Sequence, residues 1–171
     1  MNGPNSISIR RATRRELEAF TALGCRIWRD CYREILSREQ IEYMLKLRFQ
    51  RETLAKAFAD EENPYWFLWV DKNLVGYGSQ SLLLGGGRLK IEQIYVDSQW
   101  QGKGLGRQLL GHMVAVARKA NGTILFLTVN KHNRTAIQFY KRQGFAISGS
   151  CVTDIGHGFV MDDYVMERLI S

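Results

Sequence analysis

Residues 91–110 have the sequence IEQIYVDSQWQGKGLGRQLL, which is typical of a strand, a glycine-bearing loop and the start of a helix. Gly102, Gly104 and Gly106 leave the backbone uncrowded where this helix begins. The first amides of a helix have no partner within it and point outward at the positive end of the helix dipole. Because such a terminus attracts anions, the segment predicts a phosphate-binding loop.

Two cations beside the loop favour the same interpretation. Lys103 and Arg107 lie in or next to the first helical turn, where a positive charge opposes the helix dipole, and a bound polyanion would offset that cost. Two common phosphate loops do not fit, because a P-loop needs Ser or Thr where Gly104 stands, and Arg107 occupies the third glycine of the dinucleotide fingerprint. The loop alone also allows a plain turn between strand and helix.

Capping signals and apolar periodicity predict the helices. Thr13 and Glu16 form a capping box, Asn133 is a candidate N-cap, and Gly144 is a candidate C-terminal stop. Apolar residues recur at helical spacing after each of these starts and most clearly after the glycine loop. The predicted helical regions are 13–29, 37–58, 105–120 and 134–143.

Seven further segments have the alternation or continuous apolar character of strands. Tight turns at Lys72-Asn73 and around His157 predict two hairpins. The resulting order, β-αα-βββ-α-β-α-ββ, indicates an α+β (mixed α/β) fold with one mostly antiparallel, twisted sheet of about seven strands flanked by about four helices. The predicted strands are 7–12, 65–71, 74–84, 89–96, 123–129, 145–155 and 159–169.

Length and composition bound the class of protein. The chain has 171 residues, 45% of them apolar and only two of them prolines. These values predict a single folded domain over residues 7–171 behind a flexible N-terminus of residues 1–6. No apolar run approaches the roughly 18 residues of a membrane helix, and residues 1–11 do not form a signal peptide. We therefore expect a cytoplasmic protein with no membrane partner.

Neither the cysteines nor the histidines are spaced as a metal site requires. No C-x-x-C pair is present, so the cysteines are expected to be reduced, and the histidines lack ligand spacing. These residues are Cys25, Cys31, Cys151, His112, His132 and His157. We expect no metal.

The formal charge is +7, from 24 Lys and Arg against 17 Asp and Glu. Such a balance is compatible with nucleic acid, an anionic membrane or an anionic cofactor. The cations are spread along the chain without a block of five or six and without interleaved aromatic residues. Nucleic acid is therefore not the favoured partner.

Two motifs carry a resemblance to a known family. The string QGKGLG at residues 101–106 resembles the Q/R-x-x-G-x-G/A motif of the GCN5-related N-acetyltransferases (GNAT), whose loop amides hold the pyrophosphate of acetyl-CoA. Downstream, Asn130, Asn133, Ala136 and Tyr140, followed by GF at 144–145, are similar to the family's second conserved region. The resemblance covers residues 7–169. It implies a GNAT-like fold, an acetyl-CoA-dependent N-acetyltransferase and, in many members, a homodimer.

The resemblance also implies a set of cofactor contacts. Backbone groups of the strand before the loop would bind the pantetheine arm, with one amide at the thioester carbonyl as oxyanion donor. Tyr140 would be the general acid for the departing thiolate; without the motif, core packing beside Phe139 would explain an aromatic residue there. The implied residues are Ile94, Tyr95, Val96, Gln101, Gly102, Lys103, Gly104, Leu105, Gly106, Arg107, Asn130, Asn133, Ala136, Tyr140 and Lys141.

Glu92 is the candidate general base, since the family often has a glutamate on this strand. Its parity places it on the same strand face as Ile94 and Val96 if no bulge intervenes. Two alternatives stay open: Glu92 forms an ion pair with a basic residue on a neighbouring strand, or an ordered water takes the proton instead.

The acceptor amine is the least determined part. Residues 28–44 and 158–167 are similar to the polyamine-acetylating branch of the family, which implies that Tyr32, Glu34, Asp162 and Asp163 contact a cationic amine. Solvated surface charges would explain the same residues. Acetylation of a protein N-terminus or lysine is the alternative within the class, and a non-catalytic module that senses acyl-CoA is the alternative outside it.

Overall fold

The computed structural model describes residues 6–82 and 85–170. Residues 1–5, Leu83, Leu84 and Ser171 lie outside that range, and with them most of the predicted N-terminal tail and the end of predicted strand 74–84. The described chain folds into seven strands and five α-helices: β1 (Ile7–Arg11), α1 (Leu17–Tyr32), α2 (Arg38–Arg48), α3 (Arg51–Ala59), β2 (Tyr65–Val70), β3 (Asn73–Ser81), β4 (Arg88–Val96), α4 (Leu105–Lys119), β5 (Ile124–Asn130), α5 (Arg134–Arg142), β6 (Ala146–Gly156) and β7 (Phe159–Leu169).

The seven strands form one sheet in the order β1-β2-β3-β4-β5-β7-β6. Every neighbouring pair is antiparallel except β4 and β5, which are parallel and are joined by α4. A parallel pair needs such a crossover, whereas the antiparallel pairs need only turns. This confirms the predicted mixed fold with a mostly antiparallel sheet.

The predicted helical region 37–58 is two helices, which raises the helix number from about four to five within the described range. The chain leaves helical geometry at Gln50, whose backbone is extended. This turn lets the ring of Phe49 pack on α1 at Gly24, where a Cβ would lie only 2.2 Å from the ring, and beside Phe20 at a centroid distance of 5.5 Å. Packing therefore overrides the continuous periodicity of the sequence.

Helices cover the two faces of the sheet unequally. α4 and α5 pack on one face, where Leu109, Met113 and Leu125 are fully buried. On the opposite face α1 and α3 pack over the first strands of the sheet, with Phe20 and Phe67 at the centre of an aromatic cluster. α2 packs against α1 and contacts the β6–β7 hairpin through Gln40 and Tyr43. No helix of the described chain is long and apolar enough to cross a membrane.

The parallel strands β4 and β5 pair only over their first halves. Residues 88–91 pair with residues 124–127, and the ladder then stops. At the same level β4 contains a bulge: Ile91 pairs with Gln80 and Gln93 with Ser79, which leaves Glu92 as the extra residue. Beyond the bulge, 94–96 of β4 and 128–130 of β5 border a wedge-shaped opening, here called the gap.

Candidate active site

The glycine loop leads from β4 into α4 and is open on its outer side. Gly102 and Gly104 have φ angles of +77° and +74°, a conformation that L side chains rarely adopt. A Cβ built on either residue would meet no other atom within 4 Å. The N-cap of α4 is Gly104, so the free amides of the first helical turn lie directly beside this open space. Loop and helix terminus together fit a diphosphate.

Contacts to α1 and to the end of β4 hold the loop in place. Asp97 is only 3% exposed, forms an ion pair with Arg26 of α1, and accepts a hydrogen bond from the amide of Gln99 at 3.1 Å. The Gln101 side-chain amide donates to the carbonyl of Val96 at 3.1 Å. The structure therefore gives Gln101 a positioning contact within the loop.

The remaining residues of the loop and of the first helical turn differ in exposure and in the groups that they contact. Leu105 is buried in the core, so only its backbone faces the loop. Lys103 is exposed and its Nζ lies 4.4 Å from the centroid of Trp100. A Cβ on Gly106 would touch the ring of Phe139 at 3.5 Å, an ordinary contact. Arg107 is exposed on the first turn of α4.

Backbone groups of β4 line the gap, and the register identifies which ones. The amide of Asp97 donates to the carbonyl of Val75 on β3 at 2.9 Å, so odd-numbered residues at this end of β4 turn their backbone groups to β3. The Tyr95 backbone therefore faces β3 within the sheet, whereas a contact with pantetheine needs groups that face the gap. Ile94 and Val96 turn their backbone groups into the gap, where the Val96 carbonyl accepts a hydrogen bond from the Gln101 side chain.

Tyr140 lies on α5 beside the gap. Its side chain is 7% exposed and packs edge-on against Phe139 and Phe145, so the core-packing interpretation holds for the ring. The hydroxyl makes no hydrogen bond within residues 6–82 and 85–170. Burial raises the pKa of Tyr140 above its usual range, which keeps the phenol protonated at neutral pH.

The two motif asparagines have structural contacts. The Asn133 side-chain oxygen accepts from the amide of Ala136 at 3.1 Å and caps α5, as predicted. Its Nδ2 lies 3.6 Å from the Sγ of Cys31. Asn130, 5% exposed, accepts from the amide of His132 at 2.9 Å. These contacts fix the turn from β5 into α5. The predicted cofactor residue Lys141, which follows Tyr140 in α5, is exposed.

Cys31 is a site residue that the sequence did not indicate. It precedes Tyr32 at the end of α1, and both residues lie close to Tyr140. Burial raises the pKa of the Cys31 thiol, so the group is protonated at neutral pH and is not an activated nucleophile. The Tyr32 hydroxyl is 3.0 Å from that of Tyr95.

Glu92 does not share a face with Ile94 and Val96, because the bulge shifts the alternation. The packing shows the shift: Ile94 and Val96 contact the α4 side of the core, whereas Glu92 pairs with Lys90 on the opposite side. The Glu92 carboxylate lies 2.8 Å from the Lys90 ammonium and accepts from the Ser81 hydroxyl at 3.0 Å. The predicted parity holds only for a strand without a bulge, so the bulge removes it. The basic partner is Lys90 of β4 itself and not a residue of a neighbouring strand.

The acidic residues predicted to contact an amine separate into three environments. Glu34 has a side chain 86% exposed and pairs with Arg33, apart from the residues that surround the gap. Asp162 forms an ion pair with Lys131 at 2.5 Å. Asp163 is only 9% exposed, and its Oδ1 is buried without a hydrogen-bond partner in the part of the chain that the structure describes.

Asp163 and Glu92 lie on the same side of the sheet, across the gap from each other. Asp163 pairs in register with Asn130 of β5, and the Thr128 hydroxyl and Lys90 both act on its carboxylate. Burial is the larger influence and raises the pKa of Asp163. The side of the gap opposite α4 is therefore acidic.

Comparison with known proteins identifies the family. The model of the acetyltransferase (GNAT) family matches residues 24–145. The chain belongs to the GNAT family. It is 32% identical over 151 residues to the peptidyl-lysine N-acetyltransferase YjaB of Escherichia coli (strain K12), covering 88% of this chain and 90% of that protein. It is 23% identical to the spermidine N(1)-acetyltransferase of Thermoplasma acidophilum, covering 92% of this chain and 96% of that one.

Solved structures show the same fold. The PaiA N-acetyltransferase of Thermoplasma acidophilum, crystallised with coenzyme A, superposes with a TM-score of 0.84 at 21% identity and covers 96% of this chain and 99% of that one. These findings confirm the predicted GNAT fold, and as a GNAT enzyme the protein is an acetyl-CoA-dependent N-acetyltransferase. No group of three or more metal-ligating side chains occurs among residues 6–82 and 85–170.

Proposed function

We propose that this GNAT enzyme acetylates a primary amine of a small, polyamine-like cation by direct attack in a ternary complex. Asp163 carries the proposal. A buried carboxylate with an unpartnered oxygen is costly unless a donor satisfies it, and an alkylammonium group supplies both the charge and the donors. The group lies on the sheet face opposite α4, away from the loop that we assign to the donor.

The chain holds the donor from the α4 side. We assign the diphosphate to the free amides of Gly102, Gly104 and the first turn of α4, with Lys103 beside it. The backbone groups of Ile94 and Val96 bind the pantetheine arm within the gap. Bound acetyl-CoA supplies the thioester carbonyl, and an amide of β4 aimed into the gap stabilises the negative charge that develops on its oxygen.

Tyr140 is the proposed general acid. Its protonated hydroxyl, free of other partners in the described chain, donates to the departing thiolate. An ordinary thiol has a pKa of about 8.5, so a hydrogen bond from a phenol stabilises the thiolate as it forms. The packing of the ring against Phe139 and Phe145 fixes where the hydroxyl lies.

Glu92 is the proposed general base. An alkyl amine with a pKa of about 10.4 is mostly protonated at neutral pH and must lose a proton before it attacks. The bulge places Glu92 at the mouth of the gap on the acceptor side, where that proton is released. The Lys90 ammonium, 2.8 Å away, and the Ser81 hydroxyl hold the carboxylate in position.

A protein lysine is the second candidate acceptor. The similarity to a protein named peptidyl-lysine N-acetyltransferase, at 32% identity, favours it. A lysine side chain is also a primary alkyl amine and can react in the same way, but Asp163 is proposed to bind a second cationic group. The two differ in the second cationic group: a polyamine carries one close to the reacting amine, whereas a peptide does not.

The deciding experiment incubates the enzyme with acetyl-CoA and a panel of diamines, polyamines, matched monoamines, lysine peptides and peptides with a free N-terminus. Thiol release is followed, and acetylated products are identified by mass spectrometry. We expect kcat/KM to be highest for polyamines. A preference for lysine peptides would transfer the function to protein acetylation, and acetyl-CoA binding without product across the panel would favour a sensor.

A matched pair of variants tests the role of Asp163. Asp163→Asn should raise KM for a polyamine on the order of tenfold and change KM for a matched monoamine far less, because only the polyamine has a second charge to lose. Asp162→Asn removes the same charge one residue away, from a carboxylate already paired with Lys131. Equal effects of the two variants would contradict the assignment.

A further inference from the structure

A second basic site lies on the α4 side of the molecule, one helical turn beyond the glycine loop. A surface cleft of about 450 Å³ is bordered by Arg107 and Gly111 of α4, Arg142 and Gln143 at the end of α5, and Arg168 of β7. Three guanidinium groups from three different elements thus surround one open space. Neither the fold nor the catalytic gap requires this convergence.

The three arginines have no acidic partner. None of them forms an ion pair with a carboxylate in residues 6–82 and 85–170, whereas six other arginines of the described chain do. Like charges gathered without a counter-charge repel each other. An anion in the cleft would remove that repulsion, and a phosphate would accept the paired hydrogen bonds that guanidinium groups donate.

The position of the cleft identifies the anion. Arg107 belongs to the first turn of α4 and so borders both the diphosphate loop and the cleft. Gly111 is one turn further, about 5.4 Å along the helix. Coenzyme A carries its phosphate monoester on the ribose next to the diphosphate. We propose that Arg107, Arg142 and Arg168 bind the 3′-phosphate of the acyl donor and select it over the dephosphorylated form.

This inference rests on the proposed binding of the diphosphate by the loop. Direct binding measurements by titration calorimetry compare coenzyme A with dephospho-coenzyme A. The wild type should bind coenzyme A on the order of tenfold or more tightly than the dephosphorylated form, and the ratio should fall at high salt. Arg142→Gln and Arg168→Gln should each reduce the ratio several-fold and leave the affinity for dephospho-coenzyme A unchanged.

Lys119→Gln is the matched control, because it removes one positive charge from α4 outside the cleft. It should leave the ratio at its wild-type value, and thermal melts would verify that all variants fold. Equal wild-type affinity for the two compounds, or a ratio that the cleft arginines do not change, would overturn the inference while leaving the loop assignment intact. Failure of both compounds to bind would instead reject the loop assignment itself.

Discussion

Replacing Tyr140 with phenylalanine removes one oxygen atom and keeps the ring that packs against Phe139 and Phe145. If the hydroxyl stabilises the departing thiolate, kcat should fall on the order of 10²-fold while affinity for coenzyme A changes little. Single-turnover rates and calorimetric affinities separate the two effects. Near-normal turnover in Tyr140→Phe would reject the acid role, since nothing else about the side chain changes.

The pH dependence of the rate tests Glu92. Glu92→Gln removes the carboxylate and should lower kcat/KM. It should also flatten the acidic limb of the pH–rate profile, because the variant has no carboxylate at this position that must be deprotonated to accept the proton of the amine. Ser81→Ala, which removes only the hydroxyl bonded to Glu92, serves as the control for local structure. An unchanged acidic limb would point to a water-mediated route without Glu92.

Single residues were predictable where a short spacing defines a local contact. The Thr13–Glu16 capping box and the Asn133 cap both form as their spacing indicates. Cys31 could not be found in this way, because its neighbour Asn133 is distant in sequence and only the packing of α1 beside α5 brings them together. Asp163 was a candidate from sequence, but its burial depends on the register between β5 and β7.

At the scale of elements, the join between loop and helix depends on the left-handed backbone of Gly104. Gly104→Val should strain that backbone and place atoms in the open space above the loop, so affinity for coenzyme A should fall on the order of tenfold or more. Gly149→Val is the control, since its Cβ also meets nothing within 4 Å but lies on the exposed strand β6. A folded Gly104→Val variant with unaltered affinity would contradict the loop assignment.

The boundaries of helices and strands were predictable where apolar residues repeat with a single period. They were less predictable where the repeat shifts by one residue. Strand β4 shows the sequence sign of its bulge: Leu89 and Ile91 face α4, and the next residues to do so are Ile94 and Val96, three positions on instead of two. Strict alternation cannot produce that spacing. The break at Gln50 has no such sign, because it depends on contacts between Phe49 and α1.

For the whole molecule, stability and activity should oppose each other at Asp163. Its pKa is raised by burial, so the folded state binds the proton more tightly than the unfolded chain, and ionisation above the ordinary Asp pKa of about 3.9 disfavours folding. Asp163→Asn should therefore raise the free energy of unfolding at pH 7, and the difference should shrink as the pH falls toward 4. Urea unfolding at several pH values measures both, and a destabilised variant at pH 7 would contradict the buried-carboxylate interpretation.

The order of helices and strands was enough to predict the fold class, because few arrangements accommodate one parallel pair within an otherwise antiparallel sheet. The distribution of the +7 charge was not predictable. Cations that are scattered in sequence gather on the α4 side in the arginine cleft, whereas the buried carboxylate lies on the acceptor side. The net positive charge is therefore compatible with the proposed polycationic acceptor, because the arginine cleft and the buried carboxylate occupy opposite sides of the sheet.

The bulge in β4 also bears on how this chain can vary by insertion and deletion. Since Ile91 pairs with Gln80 and Gln93 with Ser79, a chain that lacked Glu92 would keep every other pairing between β3 and β4. Glu92 therefore has the character of a one-residue insertion into a regular strand. Glu92 supplies both the bulge, which curves the strand at the mouth of the gap, and the carboxylate beside it. Related chains should therefore gain or lose both features in a single step.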